Sequence, residues 1–171
     1  MLETCVTAIN ATTYFVLEGW TTSNDLTKTF FVNIETATLT PGPPMLVARR
    51  LASCSRMKNP NTGSYDSVVV AGGGDLSYGV MESTEILDLV SLNWQKGPDL
   101  PSKLCSSVMV EHFEQGVVVI GGFDIINMAR TELYYLKTVS SGWQVMAQRL
   151  VTARFYPNAI LLHESYVNCT G

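Results

Sequence analysis

The chain has 171 residues, 46% of them hydrophobic and 15% charged, so it has the material for a buried core and lacks the composition of a disordered segment. Eleven Lys plus Arg against fifteen Asp plus Glu give a net charge of −4, which argues against a nucleic-acid partner. The longest apolar runs, such as Val117-Val118-Val119-Ile120, are far short of the roughly 20 residues of a membrane-spanning helix.

In chain order, Met1-Leu2-Glu3 is acidic where a secretory leader is basic, and no apolar core follows, so a cytoplasmic location is slightly favoured. Residues 5–9 read as a first strand, Tyr14-Phe15-Val16-Leu17-Glu18-Gly19-Trp20 as a second and Phe30-Phe31-Val32-Asn33-Ile34 as a third. Leu39-Thr40-Pro41-Gly42-Pro43-Pro44-Met45 completes a first unit. Arg50 opens a second, with a turn-rich insertion at Lys58-Asn59-Pro60-Asn61-Thr62-Gly63. Next come Val68-Val69-Val70-Ala71-Gly72-Gly73-Gly74-Asp75, Thr84-Glu85-Ile86-Leu87-Asp88-Leu89 and Trp94-Gln95-Lys96-Gly97-Pro98.

A third unit repeats the second. Val117-Val118-Val119-Ile120-Gly121-Gly122-Phe123-Asp124 lies over the valine run at an offset of 49 (68 to 117), and Trp143-Gln144 over Trp94-Gln95 at the same offset (94 to 143). Between them Thr131-Glu132-Leu133-Tyr134-Tyr135-Leu136 is offset by 47 (84 to 131), so loops vary around fixed strands. Each unit reads as four short strands, one ending in glycines and one containing Trp. Four strands recurring near 50 residues predict a β-propeller blade.

The order of apolar run, Gly-Gly, aromatic-rich strand, Trp, Gly-Pro and then Arg resembles the kelch repeat. The resemblance implies an all-β, kelch-type propeller of about three four-stranded blades plus one lone closing strand. Its bounds are a partial propeller over 4–163, with repeats at 4–46, 50–101 and 103–150, a closing strand at 154–163 and a tail at 164–171. Gly72, Gly73, Gly121, Gly122, Trp94, Trp143, Arg50 and Arg154 are its repeat positions. The glycines are expected to adopt positive φ or admit a neighbouring backbone, and the Trp side chains to pack between blades. Since propellers close with four to eight blades, the chain reads as a carboxy-terminal half, either a fragment or a subunit that pairs with a second copy.

The four cysteines, at 5, 54, 105 and 169, are too sparse for a disulfide framework and contain no CxxC pair. Recurring about once per repeat, they read as small buried hydrophobes. Two N-glycosylation triplets, Asn10-Ala11-Thr12 and Asn168-Cys169-Thr170, match chance: nine Asn and 31 Ser plus Thr in 171 residues give 9 × 31/171, roughly 1.6. The use of Asn10 and Asn168 stays open. His112 and His163, beside Glu111 and Glu164, read as solvated turn residues, and no catalytic, cofactor or metal residue is assigned.

The resemblance places partner contacts on the loops joining second to third strands, at 20–28, 75–83 and 123–130. Candidate anchors there are Trp20, Tyr78, Met81, Phe123, Ile125, Ile126, Asn127, Met128 and Arg130, with blade cover as the competing role of the isoleucines. The expected function is a non-enzymatic scaffold binding a protein or peptide, as a ubiquitin-ligase substrate adaptor or cytoskeletal binder. The alternative is a fragment of a secreted kelch-type oxidase or carbohydrate-related enzyme.

Overall fold

The computed structural model describes residues 4–17, 19, 25–75, 77, 79–112, 114, 116–124, 126 and 128–160. These form three four-stranded antiparallel sheets, each a meander. The first runs β1 (Cys5–Ala8), β2 (Thr13–Leu17), β3 (Thr29–Asn33), β4 (Thr38–Pro41). The second runs β5 (Ser53–Lys58), β6 (Tyr65–Ala71), β7 (Thr84–Asp88), β8 (Trp94–Lys96), and the third β9 (Val108–His112), β10 (Gly116–Ile120), β11 (Arg130–Leu136), β12 (Gln144–Arg154). β5 touches both β1 and β9, so the innermost strands stand side by side and the sheets fan outward in a propeller-like repeat. The described residues contain no helix that could cross a membrane.

The uninterrupted valines follow from this stacking. β6 is buried on both faces: Val69 and Ala71 join Val117, Val119 and Leu136 between the second and third sheets. Val68 and Val70 join Phe15, Leu17 and Leu87 between the first and second. Alternation along one strand thus feeds two cores, which removes the polar-out positions a half-exposed strand would show.

The tryptophans close the same two joints. Trp94 donates its indole N–H to the Pro43 carbonyl at 2.9 Å and meets Phe15 edge-on, centroids 6.1 Å apart. Trp143 donates to the Pro98 carbonyl and the Thr84 hydroxyl, each at 3.1 Å. Each Trp therefore reaches back to the Gly-Pro turn of the preceding sheet, which burial of its large ring requires.

Two expectations are corrected. Residues 155–160 carry no strand, and Arg154 ends β12 rather than opening a closing strand; 161–163 lie outside the described residues. The cause is local. β4 and β8 stop at Pro41-Gly42-Pro43 and Gly97-Pro98, where proline offers no ladder donor. Met146-Ala147 stand at that place in the third sheet, so β12 continues for eleven residues through two irregularities of register.

The second concerns the cysteines. Cys5 and Cys54 form a disulfide joining β1 to β5, Cα atoms 5.9 Å apart. Their spacing of one repeat, read as two equivalent buried positions, places them on adjacent innermost strands, within bonding reach. Cys105 is buried, its Sγ 3.8 Å from the Phe123 carbonyl; Cys169 lies outside the described residues.

Candidate functional site

One end of the sheets gathers the connections between second and third strands with the crossings from each sheet to the next. The glycine doublets make this convergence possible. Gly72 and Gly73 have φ of 66° and 98°, and Gly121 and Gly122 of 63° and 96°. Gly73 and Gly122 donate their amides to the carbonyls of Leu104 and Arg154, at 2.8 and 2.7 Å. A Cβ on Gly121 would stand 2.7 Å from the Arg154 carbonyl oxygen. Gly121→Val is therefore expected to destabilise the chain by about 1–3 kcal/mol. Urea unfolding checks this, and an unchanged midpoint would contradict the joint.

These bonds also set the repeat register. Leu51, Ser106 and Tyr156 all have positive φ, of 56°, 52° and 51°. They are linked in series, the Ser106 amide donating to the Leu51 carbonyl and the Tyr156 amide to the Ser106 carbonyl, each at 2.9 Å. In that register Arg154 corresponds to Leu104 and Arg49, whereas Arg50 corresponds to Cys105 and Phe155. The expectation that Arg50 and Arg154 are equivalent is thus one residue out.

Arg49 is the residue the sequence reading missed. Fully buried, it donates Nη1 to the carbonyls of Gly72 and Ser83, both at 2.8 Å, and Nη2 to Glu85 at 2.7 Å. The Glu85 carboxylate also accepts the amides of Leu46, at 2.7 Å, and Val47, at 3.0 Å. Recurrence of Thr-Glu at 84–85 and 131–132 inside apolar strands was the available signal. In the third sheet Leu104 replaces the arginine and Glu132 pairs with Arg149 at 2.8 Å. Burial pushes the Glu132 carboxyl up, but its own amide, Arg149 and the Thr131 amide outweigh it and leave the group below its ordinary value.

The described residues of the turns are braced by aspartate side chains. Asp124 Oδ1 accepts the amides of Ile126 and Met128, each at 3.0 Å, while Oδ2 pairs with Arg130 at 2.9 Å. The Met128 amide leads in holding the Asp124 carboxyl below its usual range, with Ile126 and Arg130 adding to it against partial desolvation. Asp75 repeats the device, Oδ1 accepting the amides of Ser77 and Gly79 at 2.8 Å. Asp25 does so in the first sheet, where Thr27 hydroxyl and amide donors chiefly lower its carboxyl. An Asp side chain bonding to its own turn fixes the loop without tertiary help.

Of the expected anchors, Trp20, Tyr78, Ile125 and Asn127 lie outside the described residues. Ile126 and Met128 project from the Asp124 turn, 70% and 58% exposed. Arg130 is engaged by Asp124. Met81 acts through its backbone, its amide bonded to the Gly73 carbonyl and its carbonyl to the Leu104 amide, at 2.8 and 3.0 Å. Phe123 packs against Phe155 and Tyr156, centroids 6.5 and 6.4 Å away, forming an aromatic cluster beside the turn.

A groove of about 420 Å³ opens between the innermost strands, its wall including the disulfide, Ser53, Ser107 and Tyr156. Glu111, which flanks the His112 read from the sequence as a solvated turn residue, lies in β9. It accepts from Arg56 Nε at 2.6 Å and from the Tyr65 hydroxyl at 3.0 Å. Glu111 holds Arg56 above its ordinary value; burial, then Glu111, raises Tyr65. His112 Nδ1 accepts the Glu114 amide at 3.2 Å; His163 and Glu164 lie outside the described residues. Among the described residues no three His, Cys, Asp or Glu side chains converge as a metal site would require.

No protein-family model matches the chain, and no curated protein matches it. Among solved structures, one titled "Structure of YjhT" superposes with a TM-score of 0.65 over 84% of this chain, at 13% sequence identity. At that identity the likeness concerns the fold alone. It takes in 45% of that protein, so the chain spans less than half its length.

Proposed function

We propose that the chain is a kelch-type propeller segment that serves as a non-enzymatic scaffold, binding a protein or peptide through the turns at 75–83 and 123–130. The observation that carries this reading is the Asp124 turn, which presents Ile126 and Met128 to solvent on a backbone held by a carboxylate and Arg130. Exposed apolar side chains on a turn braced by its own carboxylate cost less entropy to bury against a partner. Arg130 is assigned to positioning that turn, and Phe123 to supporting it.

A photo-reactive residue at position 126 would capture the partner, and titration calorimetry would then measure its affinity. Met128→Ala is expected to weaken binding roughly tenfold, a loss of about 1.4 kcal/mol, with the melting temperature unchanged. Equal affinity of the variant and the parent chain would overturn the assignment.

The second reading, part of a secreted kelch-type oxidase or carbohydrate-related enzyme, draws support from the Cys5–Cys54 disulfide, since such bonds persist in oxidising compartments. The same bond weighs against the cytosolic roles of ubiquitin-ligase adaptor and cytoskeletal binder, and against the cytoplasmic preference. The groove between the innermost strands is where that enzyme's substrate would sit. Pairing of two copies into one ring is a further proposal, readable from the mass in solution.

A further inference from the structure

Counting triplets leaves Asn10-Ala11-Thr12 indistinguishable from chance, but its placement separates it from a chance match. Asn10 and Ala11 are exposed at the tip of the β1–β2 hairpin, where the Ile9 and Asn10 amides both donate to the Thr13 carbonyl, at 2.8 and 3.2 Å. Asn10 Oδ1 accepts the amides of Thr12 and Thr13 at 3.0 and 2.8 Å and the Thr12 hydroxyl at 3.3 Å. The carboxamide oxygen is thus turned into the hairpin and the triplet hydroxyl lies against it, which leaves the amide nitrogen as the outward end of the group. A surface turn is where an acceptor triplet can carry a bulky, solubilising sugar.

The second observation is independent of the triplet. On the same hairpin, Cys5 is bonded to Cys54, and structural disulfides belong to chains that mature in oxidising compartments. Those are the compartments in which N-glycans are attached. The hairpin tip also lies at the end of β1 away from Cys5, and β2 returns to Leu17 opposite Cys5, so the tip is remote from the turns at 75–83 and 123–130. A sugar there leaves the proposed binding face clear.

We propose that Asn10 is an N-glycan acceptor and that the chain matures along a secretory route. In the transfer, Asn10 Nδ2 forms a bond to the anomeric carbon of a lipid-pyrophosphate-linked oligosaccharide. The bond from that carbon to the phosphate oxygen breaks, the lipid pyrophosphate leaves with the electron pair, and the amide proton passes to a base of the transferring enzyme. No oxidation state changes.

The test is peptide mapping of the full chain purified from the cells that make it. Digestion with a peptide N-glycosidase in heavy-oxygen water converts a glycosylated Asn into labelled Asp. The expected result is labelled Asp at position 10, together with a Cys5–Cys54 cross-linked peptide before reduction. Asn10→Gln should abolish the corresponding mass shift of the intact chain. Unlabelled Asn10, a glycan on Asn168 alone, or Cys5 and Cys54 alkylated without reductant would each overturn the proposal.

Discussion

Glu85→Ala is expected to cost about 3–5 kcal/mol, because it strands a buried guanidinium rather than merely removing a contact. Arg49 Nη2 loses its carboxylate, and the Leu46 and Val47 amides lose their acceptor in the same step. Arg49 itself is fully buried and cannot turn its charge to water. Glu85→Gln should cost less, since its amide oxygen in the place of Oε1 still accepts two of the three donors, Arg49 Nη2 and the Val47 amide. Combining Arg49→Met with Glu85→Gln should destabilise by less than the two single changes together, the charge having left with its partner. Denaturant titration of the parent and the four variants checks the ordering. A Glu85→Ala midpoint within error of the parent would show that the ion pair does not hold the first joint.

Loss of the Cys5–Cys54 bond is expected to be of similar size. The bond closes 49 residues of sequence, for which the chain-entropy account gives about 4 kcal/mol, or roughly 10 °C in melting temperature for a chain of this length. The effect should be uneven. Repeats stacked side by side depend on their neighbours, so freeing β1 from β5 loosens the first sheet before the others. Hydrogen exchange on Cys54→Ser is accordingly expected to rise first across β1 and β2. If Cys54→Ser and the oxidised parent melt together, the cross-link contributes nothing.

The repeat itself was legible because it is written in residues with demanding conformations. The glycine doublets, the tryptophans and the valine runs recur at fixed offsets; the Trp94 and Trp143 indoles each bond to the preceding sheet, and Val68 to Val70 lie in the two inter-sheet cores. The last strand was misjudged for the converse reason. The resemblance ends the third repeat at 150 and opens a new strand at 154, although Met146-Ala147 contain nothing that stops a ladder. Arg49 was passed over for Arg50 because the two are adjacent, and only the backbone bonds from Gly73 to Leu104 and from Gly122 to Arg154 fix which one is equivalent. The disulfide could not be read from spacing, since a separation of one repeat is what two equivalent core cysteines show as well. The Asp75 and Asp124 turns were present in the sequence as Asp ahead of loop residues, but their role depends on amides that face back onto the carboxylate.

Binding through the turn face is the claim on which the functional reading depends. Its most direct test is hydrogen exchange of the whole chain with and without the partner captured at position 126. The account predicts slowed exchange of amides at 75–83 and 123–130, with the hairpin tips at 9–12 and 59–64 unchanged. Protection at those tips, or along the outer strands β4, β8 and β12 with the turns unaffected, would contradict it.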